Sequence, residues 1–120
     1  MRFNSIFAAS IVAAGLVFSV ATPVSIARAA DVTEAQIAAA RTPADHEAIA
    51  ASYEAQAKAA EEMAGNHQSM AKAYQAAGRK GGTAGMVAHC NRLVAKYTEA
   101  AKEYRGLATE HREMAEAAAK

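Results

Sequence analysis

Three features of the chain predict an all-α fold, a long antiparallel helical hairpin. Alanine supplies 35 of the 120 residues, glycine 7 and proline 2, a composition that favours helix. Two stretches of roughly 35 residues carry small and apolar side chains at seven-residue intervals, the spacing of helices packed side by side in a coiled coil. One glycine-rich break, Gly78, Arg79, Lys80, Gly81, Gly82, separates them, and so short a break between long helices turns the chain back on itself. The expected elements are helices over about 43–77 and 84–118, preceded by a short helix and a signal peptide. As a homodimer this would make a four-helix bundle.

The first 29 residues read as the signal peptide. Arg2 and the terminal amine form a positive start, and Ile6 to Ala21 is an apolar run broken only by Ser10, Gly15 and Ser19. Ala27 and Ala29 then place small residues at the minus-three and minus-one positions of a cleavage site. The run is shorter than the roughly 20 apolar residues of a membrane span. The expected product is one domain, residues 30–120, exported to the periplasm and free of the membrane after cleavage. Its charge is 11 positive against 12 negative, which leaves no field for nucleic acid. An exported chain meets an oxidising compartment, where a lone thiol is unusual. Cys90 is therefore informative.

Along the chain, Asp31 to Arg41 reads as a short amphipathic piece capped by Thr33. Thr42, Pro43 and Asp45 then give a cap hydroxyl, a proline at the first helical position and an acid near the positive helix end. Gly78 suits a C′ glycine and Thr83 the next N-cap, with Gly106 the weak point of the second helix. In the first long helix His46, Tyr53, Ala60, His67 and Tyr74 form one row, Ala50, Ala57, Ala64 and Ala71 the next, flanked by Ile49, Gln56, Met63 and Met70. In the second the rows are Cys90, Tyr97, Tyr104, His111; Val94, Ala101, Ala108, Ala115; and Met86, Leu93, Ala100, Leu107, Met114. The two helices echo each other at an offset of 44, Tyr53 with Tyr97, Ala57 with Ala101, His67 with His111 and Met70 with Met114, which reads as a duplicated helix. An alanine seam buries little, since a methylene-sized group is worth about 0.8 kcal/mol, so the hairpin is expected to recruit a second copy, a partner helix or its own N-terminal segment.

Folding the chain about residues 80 and 81 sets His67 opposite about Val94, one turn from Cys90, and Met70 opposite about Asn91. The loop end gathers Met63, His67, Met70, Met86, His89 and Cys90, and the far end His46, His111 and Met114. Imidazole, thioether and thiolate are the donors that Cu(I) prefers, with Zn(II) a weaker match. The competing reading is packing alone: methionine at helical spacing fills cores, and a buried cysteine is a small hydrophobe. Enzyme signatures are missing. His89 and Cys90 are neighbours that diverge by about 100° on a helix, away from the convergence a nucleophile and base need, and neither a phosphate-binding glycine loop nor a haem-attachment CxxCH is present.

The segments TPADHEAIAASYEAQAKA and AHCNRLVAKYTEAAKEYRGLATEHREMA resemble small exported, alanine-rich helical proteins of proteobacteria. The resemblance spans Thr42 to Ala115, implies a periplasmic helical hairpin, and carries over no catalytic residues. The function expected from the sequence is non-enzymatic: binding or buffering a soft metal such as copper in the cell envelope. The alternative is a structural or protein-interaction module without metal.

Overall fold

The computed structural model describes residues 31–78 and 82–120. The expected signal peptide lies outside these residues, as do Arg79, Lys80 and Gly81 of the break. Three helices follow in order: α1 (Glu34–Ala39), α2 (Pro43–Ala77) and α3 (Ala84–Ala118). At about 1.5 Å per residue, α2 and α3 are each on the order of 50 Å long. Among the described residues there is no strand, and no helix is long and apolar enough to cross a membrane.

Local chemistry sets the helix starts. Thr33 caps α1 as expected: its hydroxyl accepts from the Gln36 amide at 3.2 Å, while the Thr33 amide donates to Gln36 Oε1 at 2.8 Å. The same reciprocal box opens α2, where the Asp45 amide donates to Thr42 Oγ1 at 3.2 Å and Asp45 Oδ2 accepts from the amides of Thr42 and Arg41 at 2.9 and 3.0 Å. Hydrogen bonds from the Arg41 and Thr42 amides, and then from the Thr42 side chain, hold the Asp45 carboxyl at about 2, well under the ordinary 3.8.

The turn end departs from the sequence reading at two residues. Gly78 closes α2 in a right-handed conformation, φ −71°, so it is not a left-handed C′ glycine; the positive φ belongs to Gly82, at 90°. What requires glycine at 78 is proximity, because a Cβ there would stand 2.0 Å from Thr83 Oγ1. Nor does Thr83 cap α3 through its hydroxyl. That hydroxyl donates at 2.8 Å to the Tyr74 carbonyl, which also accepts from the Gly78 amide, and so fastens the two helices together at the turn.

Packing of α2 on α3 is antiparallel, along the two alanine rows. Ala50, Ala57 and Ala108 are fully buried, with Ala71, Ala101 and Ala115 nearly so. Among the described residues no large side chain is completely enclosed. Along these two rows methyl groups separate the helices, and Ile49, Gln56, Cys90 and His111 are the larger side chains buried beside them. Immediately after the His/Tyr row on each helix come Glu54, Glu61, Arg105 and Arg112, which pair across one broad face of the hairpin as Glu54–Arg112 and Glu61–Arg105. The residues immediately before the alanine rows fall on the opposite broad face. Here Met63, Met70, Met86, Leu107 and Met114 remain 36–46% exposed. Helix α1 buries none of its own residues.

Candidate functional site

The His/Tyr rows meet in layers spaced seven residues apart. His46 lies opposite His111, Tyr53 opposite Tyr104, and Tyr74 beside Thr83. Continuing that step places Ala60 opposite Tyr97 and His67 opposite Cys90. Diagonal ring contacts tie the layers: Tyr53 to His111 with centroids 5.8 Å apart, and Tyr97 to His67 at 5.6 Å and nearly parallel. These two contacts are the same contact shifted by 44 positions. Glu61 and Arg105, also 44 apart, bond to each other. The repeat read from the sequence therefore emerges as an approximate two-fold axis perpendicular to the hairpin, with each half setting one histidine ring against the other half's tyrosine, stacked at His67–Tyr97 and tilted at His111–Tyr53.

The two ends differ chemically. At the far end His46 Nδ1 and His111 Nδ1 are 3.2 Å apart, so one ring keeps its proton and donates while the other accepts. Burial, and then the charge that His46 would carry, pushes the His111 imidazole below its ordinary 6.5. At the turn end the residue matching His46 is Cys90, a free thiol only 2% exposed. Facing it, His67 has its Nδ1 buried without any hydrogen-bond partner, although buried imidazole nitrogens are ordinarily satisfied. That orphaned donor atom is the feature of the site that packing alone does not account for.

The methionines, unlike the buried Cys90, lie outside the inward patch expected. Met63 and Met70 are each 40% exposed, Met86 44% and Met114 46%; they flank the seam because the alanine rows leave no room inside it. Along that flank the heptad register puts Met70 across from Met86, one step from the His67–Cys90 layer. His67, Cys90, Met70 and Met86 thus share one side of the turn end, with Met63 one turn further along. His89 is exposed and points away from the buried Cys90, so it stands outside this group, and Met114 flanks the histidine pair at the other end. Among the described residues no three of His, Cys, Asp and Glu converge as a metal-binding group. An ion at the turn end would have to draw on thioethers.

Sequence reasoning missed the cross-helix ion pairs and the Tyr97–His67 stack. The offset of 44 makes the Tyr97–His67 stack the counterpart of the Tyr53–His111 contact, whereas the Glu54–Arg112 pair does not follow from it. No family model, no curated protein and no solved structure matches this chain.

Proposed function

We propose that this protein is a non-enzymatic helical hairpin of the cell envelope that binds a soft metal ion, Cu(I) foremost, at its turn end. The observation that carries this reading is the buried, unpartnered Nδ1 of His67 set opposite the enclosed thiol of Cys90. A neutral imidazole nitrogen and a thiolate are both strong ligands, and the thioethers of Met70 and Met86 on the same side add the donor type that favours Cu(I) over Zn(II). Two rigid helices hold the four residues in adjacent layers, so little ordering is needed on binding. Anaerobic titration with Cu(I) against a competing chelator tests it. Binding should weaken by at least about tenfold in Cys90→Ser and in His67→Ala, and by less in Met70→Leu, following the loss of stronger or weaker ligands. Circular dichroism of each variant should remain helical. Uptake that is absent, or indifferent to both Cys90 and His67, would defeat the reading.

A second reading has its own support. The opposite broad face from the ion pairs exposes a continuous apolar strip, as in a module that assembles with another helical partner. The two readings share Met70 and Met86 and differ in His67 and Cys90, which only the metal reading uses.

A further inference from the structure

The strip on α3 has an internal order. At seven-residue steps it reads Met86, Leu93, Ala100, Leu107, Met114, the same from either end and centred on Ala100. Met86, Leu107 and Met114 are exposed at 44, 36 and 46%, and Leu93 and Ala100 are half-buried. Beside this row runs a second one, His89, Lys96, Glu103, Glu110, all exposed. Reversed about the same centre, Lys96 falls on Glu103 and His89 on Glu110. A surface that superposes on its own reversal, with like apolar residues coinciding and opposite charges exchanging places, is what an isologous contact requires.

We infer that the apolar face of the hairpin is a self-recognition surface on which a second copy of this chain docks with its hairpin reversed, the two-fold axis crossing at Ala100. In that arrangement Leu93 packs on Leu107 of the partner subunit and Met86 on Met114 of the partner subunit, while Lys96 pairs with Glu103 of the partner subunit; each contact occurs twice. On α2 the position level with Ala100 is Gln56, flanked by the small residues Ser52 and Ala59, which lets the α2 helices approach along the same axis. The face is about 50 Å long and two helices, about 20 Å, wide, an area on the order of 1,000 Å² against the roughly 800 Å² per partner of a stable interface. Burying it also supplies the large apolar contacts that an alanine seam lacks.

The test uses the processed chain with Cys90→Ser throughout. Sedimentation should report a dimer at micromolar concentration, and Ala100→Cys should cross-link to itself rapidly under mild oxidation, because the two positions meet on the axis. Lys96→Glu places like charges together twice and should weaken association about tenfold or more, whereas Lys96→Glu with Glu103→Lys restores complementarity and should recover most of the loss. Both sites are exposed, so helicity is retained. A monomer at these concentrations overturns the inference. So does a dimer in which Ala100→Cys fails to cross-link, or in which the charge exchange gives no recovery, since either would place the contact on another face or in the parallel sense.

Discussion

His46 and His111 hold their Nδ1 atoms 3.2 Å apart, a contact that tolerates one shared proton and not two positive rings. Folded His111 takes up its proton only below the ordinary 6.5, whereas in the unfolded chain it does so near that value. Its contribution to stability is therefore complete at neutral pH and is lost as the pH falls below about 6.5. Urea unfolding at pH 7.5 and 5.5 should show the decline, and His111→Gln should flatten it. Asp45 behaves in the same sense at lower pH: with its carboxyl held at about 2, the box at the start of α2 is intact above about pH 4 and opens as the pH falls toward 2, readable as loss of amide protection at Arg41 and Thr42. Thr42→Ala removes the other half of that box and should cost about 1 kcal/mol.

At the scale of the helix, glycines separate by what surrounds them. Gly65 and Gly106 sit in helix interiors with open space where a Cβ would project, so Gly65→Ala and Gly106→Ala should each raise stability by roughly 0.5–1 kcal/mol in thermal melts. Gly78→Ala should do the reverse, because the new methyl collides with Thr83 Oγ1 and breaks its bond to the Tyr74 carbonyl; adding Thr83→Ala should relieve most of the loss. In the seam, Ala57→Leu at a fully buried position pushes the helices apart and should cost about 1–3 kcal/mol. These contrasts also mark how much of the structure was legible in advance. The helix spans, the caps at Thr33 and Thr42 and the antiparallel sense follow from periodicity, cap chemistry and break length, all local in sequence. The role of Gly78 and the hydroxyl bond of Thr83 do not, because they depend on how closely the chain returns after the turn. For the site, folding about residues 80 and 81 predicted His67 level with about Val94 and within one turn of Cys90, whereas the register of His46 with His111 sets it opposite Cys90 itself; nor did any single row disclose that the methionines would stay exposed.

At the scale of the whole molecule, the two long helices form one rod with unlike sides. Ion pairs bridge one broad face through Glu54, Glu61, Arg105 and Arg112, all substantially exposed, where such pairs contribute little to stability but do maintain a hydrated surface. Methionine and leucine occupy the other. The approximate two-fold symmetry equips both ends with a histidine on a tyrosine, and divergence at one matched position, His46 against Cys90, gives the ends different ligand chemistry. Methyl-to-methyl packing has a further, thermodynamic effect. Heat-capacity change on unfolding scales with the apolar area newly hydrated, and a core without one fully enclosed large side chain has little to expose. Calorimetry on the dissociated chain should give less than the usual 12 or so cal/mol/K per residue. Its free energy would then vary only gently between cold and warm conditions, and growth temperature would matter less to this rod than to a globule of equal size.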